Sequence, residues 1–93
     1  MESQLDLNRE RAQLRDKYVS LLPETLQAEV KVGEIAYADG VLSAKQKRLI
    51  ALGIALGRGC RNCILGQTEK ALEAGATVDE ILETTGVAVA IGG

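Results

Sequence analysis

The sequence predicts an all-α protein, and three observations predict it. Apolar residues recur at three- and four-residue intervals in five successive segments. Capping residues stand between those segments, and no stretch alternates polar and apolar residues for long enough to make a strand. Composition agrees. Two residues are tyrosine and none is phenylalanine or tryptophan, so the apolar content is Ala, Leu, Ile and Val, accompanied by ten glycines. Such small side chains suit helices that approach one another closely. Ninety-three residues make one domain, 1–93. Folding a chain of that size removes about 60–65% of its unfolded surface from water, a margin that association with further copies improves.

The first segment, residues 3–21, is charged and carries Leu7, Leu14, Tyr18 and Leu21 as a stripe, which predicts an amphipathic and largely exposed helix. Pro23 then opens a second helix at the position where proline's missing N–H does no harm. Leu26, Val30, Gly33 and Tyr37 form its inner face, and Asp39-Gly40 ends it in a turn. Ser43 and Gln46 make a capping box for a third helix. From Leu49 to Gly57 that helix is apolar almost all round, with Gly53 and Gly57 four apart. An all-round apolar helix is a buried one, and in so small a domain full burial calls for a neighbouring subunit. After the break at Gly57 and Gly59, Ile64, Leu65, Thr68, Ala71 and Leu72 mark a fourth helix that closes at Gly75-Ala76. Thr77 and Glu80 cap a fifth, with Ile81, Leu82, Thr85 and Val89 on its face and Gly92-Gly93 at its end.

Several classes of function are disfavoured. The formal net charge is −2, with acids and bases mixed along the chain, so there is no basic stripe for a nucleic acid and no set of aromatics to stack on bases. The longest apolar run is about half of the roughly 20 residues a membrane span needs. The polar start, Met-Glu-Ser-Gln-Leu-Asp, is unlike a secretory signal, and a cytoplasmic protein is expected.

Chemistry is concentrated in Cys60-Arg61-Asn62-Cys63, the two cysteines of a chain without histidine. On a helix, residues at this spacing have Cα atoms about 5 Å apart, within disulfide range. The pair falls in the first turn of the fourth helix, where free backbone N–H groups and the positive dipole end favour an anion. Arg58 and Arg61 add positive charge, and these influences together lower a thiol pKa. A redox pair is the leading reading, and a vicinal pair in a reducing cytosol is more often catalytic or sensory than structural. Two alternatives stand beside it. The cysteines can be small buried hydrophobes, or two ligands of a zinc site completed by a second chain, since four are needed and this chain offers two. No metal or cofactor is expected within one chain.

Further segments follow a recognisable order. Asp39-Gly40-Val41-Leu42-Ser43 leads into Lys45 through Ala55, then come the cysteine pair, Ala71 through Thr77, Asp79 through Glu83, and Val87 through Gly93. This order resembles the carboxymuconolactone decarboxylase family, in its branch of small proteins like alkylhydroperoxidase D (AhpD). The resemblance covers about residues 23–93 and leaves 1–22 as an N-terminal helical extension. It implies an all-α, AhpD-like fold of five to six helices in an oligomeric bundle, a trimer or hexamer.

The resemblance also implies a site. In the peroxidase branch a glutamate stands twelve residues before the first cysteine, and a histidine four residues after the second. Cys60 and Cys63 match, while the glutamate position falls on Arg48 and the histidine position on Gln67. In the family the second cysteine attacks peroxide after the histidine, helped by the glutamate, withdraws its proton, and the first cysteine resolves the product as a disulfide. Gln67 can hydrogen-bond but is no base near neutrality, and Arg48 offers only a fixed positive charge. Helix position makes Cys60 the more acidic thiol, whereas the resemblance names Cys63 as the nucleophile, and the reading follows the resemblance. The expected activity is thiol–disulfide oxidoreduction with a hydroperoxide substrate and an external electron donor, lacking the family's relay. The alternative is an oligomeric binding or scaffold protein that kept the fold without the chemistry. A lactone decarboxylase, which relies on histidine, is disfavoured. Glu29, Glu34 and Tyr37 are the other polar candidates for a pocket, each more simply read as a solvated or interface residue.

Overall fold

The computed structural model describes residues 3–92, apart from the side chains of Gln4, Tyr18 and Val19. Five helices run in chain order: α1 (Gln4–Leu21), α2 (Pro23–Tyr37), α3 (Ala44–Arg58), α4 (Arg61–Glu73) and α5 (Val78–Gly92). No strand occurs among the described residues, as an all-α protein requires. The chain forms two compact units, one up to Ala38 and one from Asp39 onward.

In the first unit α1 pairs with α2. The Ser3 hydroxyl accepts the Asp6 N–H at 3.1 Å and so caps the start of α1. Asn8 is buried, and its side-chain oxygen accepts from Arg11 Nη2 at 3.1 Å. Leu7 is partly shielded, but Leu14 and Leu21 of the expected stripe are exposed. Their spacing leaves too little continuous apolar surface for a helix with so many charges. The Tyr18 side chain lies outside the described residues, as do Met1, Glu2 and Gly93. Pro23 is the first residue of α2, and Leu26, Val30, Gly33 and Tyr37 are the least exposed residues of that helix, the face their spacing predicts.

In the second unit α3 packs against both α4 and α5. Its start is closed by the full capping box: Gln46 N–H donates to Ser43 Oγ at 3.1 Å, and Ser43 N–H to Gln46 Oε1 at 2.8 Å. Asp39 Oδ1 accepts the Ala44 N–H at 2.7 Å, a second cap that the turn reading of Asp39-Gly40 missed. The buried core is small: Leu52 and Ala55 from α3, Ala71 from α4, and Ala76. Leu52 is 1% exposed and is its one large side chain. Within the second unit Leu49 to Gly57 is not fully buried, because Ile50 and Ile54 lie on the side of α3 that α4 and α5 leave open.

Two hydrogen bonds close α4, from Gly75 N–H to Leu72 O at 3.0 Å and from Ala76 N–H to Ala71 O at 2.9 Å. Gly75 has φ +94°, a conformation that favours glycine in this cap. Thr77 and Glu80 then exchange capping bonds at the head of α5. On α5, Ile81 and Thr85 are shielded as expected, whereas Leu82 and Val89 are exposed. The contact stripe runs instead through Thr84 and Ala88, small enough to approach Gly53 of α3. Among the described residues no helix is long and apolar enough to cross a membrane.

Candidate redox site

The site begins with a glycine. Gly59 terminates α3 at φ +70°, and its N–H donates to Ala55 O at 3.0 Å. An L side chain is strained in this conformation, so glycine lets the chain leave α3 and enter α4 within two residues. Cys60 follows as the N-cap of α4. Its backbone is extended, its carbonyl accepts the Ile64 N–H at 2.9 Å, and its Sγ accepts the Cys63 N–H at 3.3 Å. A sulfur thus takes the place that a serine or aspartate oxygen holds in most caps.

Cys63 is the third residue of α4, with its Cα 5.2 Å from that of Cys60, and the two sulfurs are joined in a disulfide. Cys60 is half-buried and Cys63 exposed. Arg58 ends α3 and Arg61 begins α4, so both arginines flank the pair, and both are exposed. When the bond is reduced, an anion on Cys60 is favoured by the Cys63 N–H and by the positive end of a 13-residue helix. The arrangement is suited to cycling between dithiol and disulfide. Among the described residues no group of three or more His, Cys, Asp and Glu side chains is placed to hold a metal ion.

Arg48 and Gln67 meet. The Arg48 Nη1 donates to Gln67 Oε1 at 3.3 Å, a bond from α3 to α4 between two half-buried residues. Gln67 is four residues beyond Cys63 on the same helix, so the two share a face with Cβ atoms about 5–6 Å apart. The four residues singled out by the sequence therefore form a chain of neighbours: Cys60 bonded to Cys63, Gln67 one turn on, and Arg48 held on Gln67. Glu29, Glu34 and Tyr37 instead lie on α2, in the first unit. Both glutamates are exposed, and Glu34 pairs with Lys31 at 3.9 Å, a turn away on the same helix.

One contact was absent from the sequence reading. Lys45 Nζ lies 2.9 Å from Glu80 Oε2, tying the start of α3 to the start of α5. Glu80 Oε1 meanwhile accepts the Thr77 N–H at 2.8 Å. That backbone bond, and then the Lys45 ammonium, hold the Glu80 carboxyl below its usual pKa. The Thr77–Glu80 box was legible as a local motif. Nothing in the sequence pointed to Lys45, which lies far from Glu80 along the chain.

Residues 23–93 match the carboxymuconolactone decarboxylase family. The chain belongs to that family. Its relatives include an uncharacterized protein of Cupriavidus necator, 35% identical over 71 residues, which are 76% of this chain and 63% of that one. Another is the uncharacterized protein 4 in the cox locus of Paracoccus denitrificans, 36% identical over 61 residues, 66% of this chain and 55% of that one. The chain thus spans between about half and two thirds of the length of these two relatives. The crystal structure of an apo carboxymuconolactone decarboxylase family protein from Legionella pneumophila superimposes with a TM-score of 0.92 at 30% identity, covering 97% of this chain and 80% of that one. For this family member the five helices agree with the family's all-α fold.

Proposed function

We propose that this chain is a thiol–disulfide oxidoreductase that reduces hydroperoxides, with Cys63 attacking and Cys60 resolving. The observation that carries the reading is the Cys60–Cys63 disulfide at the head of α4. In the reduced protein the Cys63 thiolate attacks one peroxide oxygen. The O–O bond breaks, the alkoxide leaves and is protonated to the alcohol, and Cys63 becomes a sulfenic acid. The Cys60 sulfur then attacks Cys63, giving up its own proton, and hydroxide leaves as water. One hydroperoxide and two thiols thus yield one alcohol, one water and the disulfide. An external dithiol reduces the pair again.

Exposure of Cys63 supports its role as the sulfur that peroxide reaches, and the cap position of Cys60 supports its role as a ready resolving thiolate. Arg48 and Gln67 occupy the relay positions without a group that takes a proton near neutrality. A general base contributes about 10²–10⁴-fold, so turnover is expected to be slow by that order. On this reading the chain works as a single domain, as a homo-oligomer (trimer or hexamer), and in the cytoplasm, where thiol donors are at hand.

The Arg48–Gln67 bond favours one second reading, an oligomeric binding or scaffold protein in which the relay has become a structural tie. Decarboxylation has no comparable support, since the chain contains no histidine. The deciding experiment counts thiols in the reduced protein as hydroperoxide is consumed. Two should be lost per turnover, without a linked dimer. Cys63→Ser should abolish the loss, and Cys60→Ser should allow one event and then stop at the sulfenic acid. A native protein whose thiols ignore peroxide is the scaffold.

A further inference from the structure

One end of the Gln67 carboxamide is in use and the other is not. Arg48 Nη1 donates to Gln67 Oε1 at 3.3 Å. Arginine has donors and no acceptor, so the amide atom facing it is the oxygen, and the nitrogen is turned away. Among the described residues nothing accepts a hydrogen bond from that nitrogen. Nor is it sealed in the interior, because every buried side-chain nitrogen or oxygen of the described residues has a partner. Gln67 therefore keeps a donor within reach of solvent, on a carboxamide that is held from behind.

Helical side chains lean toward the N-terminus of their helix, so Gln67 leans over the turn of α4 that carries Cys63. At this four-residue spacing the two Cβ atoms are about 5–6 Å apart, a gap that a glutamine side chain spans. In the disulfide the Cys63 sulfur is uncharged and needs no donor. Reduction leaves a thiol that can ionise, and the backbone N–H of Cys63 is already given to Cys60 Sγ at 3.3 Å. The charges nearby are of one sign. On α3, the helix packed against α4, the charged residues are Lys45, Lys47, Arg48 and Arg58, and the head of α4 adds Arg61. The first carboxylate on α4 is Glu69, beyond Gln67. Neither helix brings a carboxylate to the Cys63 turn, and an anion there meets cations and an amide N–H instead.

We infer that Gln67 donates a hydrogen bond to the Cys63 thiolate, and that Arg48 is the positioning residue that turns the amide nitrogen toward the sulfur. The inference rests on the reading of Cys63 as the attacking thiol and says how its anion is held. The thiol proton goes to solvent rather than to a neighbouring side chain. A thiol held in this way ionises at lower pH, so a larger share of it is thiolate near neutrality. The bond from Arg48 does more than tie α3 to α4. It keeps the carboxamide from presenting its oxygen, which would repel the anion.

The test titrates Cys63 alone. In Cys60→Ser, whose serine still caps α4, the rate of iodoacetamide alkylation against pH gives the Cys63 pKa with no peroxide present. Gln67→Met, of similar length and without a charge, should raise that pKa by about one unit, the size expected when an anion loses one hydrogen bond. Arg48→Lys, which still donates to the amide oxygen, should raise it less than Arg48→Met does, and no difference between the two overturns the positioning role. Gln67→Glu keeps the bond to Arg48 and serves if methionine loosens the fold. In about 1 M salt, where its added charge is screened, Cys63 should again titrate higher. A mere tie between helices predicts a lower thermal midpoint for Gln67→Met with the titration unmoved, and that result overturns the inference. Peroxide consumption is followed separately in the protein with both cysteines. If it is absent while the titration shifts, the Gln67 assignment stands and the peroxidase reading falls. If it is present while the titration is unmoved, the reverse holds.

Discussion

Arg48 donates to Gln67 across α3 and α4 at 3.3 Å, joining the two positions to which the family resemblance assigns a glutamate and a histidine. Restoring both, with Arg48→Glu and Gln67→His, should raise the rate of peroxide-dependent thiol loss, with a ceiling of about 10²–10⁴-fold. Because the two act as one relay, the double variant should exceed the product of the single effects. Stopped-flow thiol kinetics on the four proteins checks this, with circular dichroism confirming that each is folded.

Glu80 gives a pH signature. Its carboxyl is held below the ordinary value by the Thr77 N–H and by Lys45, so its contribution to stability is complete above the unfolded pKa. That contribution is lost as pH falls through the lower folded value. Thermal midpoints should therefore favour the native protein over Glu80→Gln at neutral pH, with the gap closing below about pH 4.5. A gap that widens on acidification would contradict the assignment. High salt should narrow it at neutral pH, since the Lys45 contact is partly exposed.

The α3 cap can be removed with little other disturbance. Ser43→Ala deletes the hydroxyl that accepts the Gln46 N–H. Denaturant unfolding should show a loss of about 1 kcal/mol, within the usual range of about 0.5–2 for such caps. The remaining Asp39 bond to Ala44 should keep the loss from rising further, and Asp39→Ala combined with Ser43→Ala should exceed either alone.

Gly59 sets the entry to the redox helix. At φ +70° alanine is strained by roughly 1–2 kcal/mol, although no atom of the chain stands in its way. Gly59→Ala should lower the unfolding midpoint. It should also shift the dithiol–disulfide equilibrium measured against glutathione, because Cys60 is the next residue and caps α4 from there. An unchanged equilibrium alongside reduced stability would separate the turn from the cysteine chemistry.

Among the described residues Leu52 is the largest fully buried side chain, at 1% exposure. Leu52→Ala should destabilise by about 2–5 kcal/mol, a large fraction of the roughly 5–14 kcal/mol expected for a chain of this length, and should lower the unfolding midpoint markedly. Thermal unfolding followed by circular dichroism checks this, and an unchanged midpoint would mean that the core lies elsewhere.

The sequence by itself determined the helices and their ends. Pro23, the Ser43–Gln46 and Thr77–Glu80 boxes, and Gly75 act through bonds to neighbours only a few residues away, so their effects are local and readable in order. It also placed Cys60 and Cys63 at a helix head, since a three-residue spacing fixes their separation once the helix is granted. Which faces are covered was decided by the tertiary structure. Leu82 and Val89 have the spacing of an inner face, yet Thr84 and Ala88 line the contact because they are small enough for α5 to come close to Gly53. Lys45 finds Glu80 for a similar reason. Two helix starts far apart in the chain are brought side by side by packing, and no local pattern encodes the pairing of two charges across that gap.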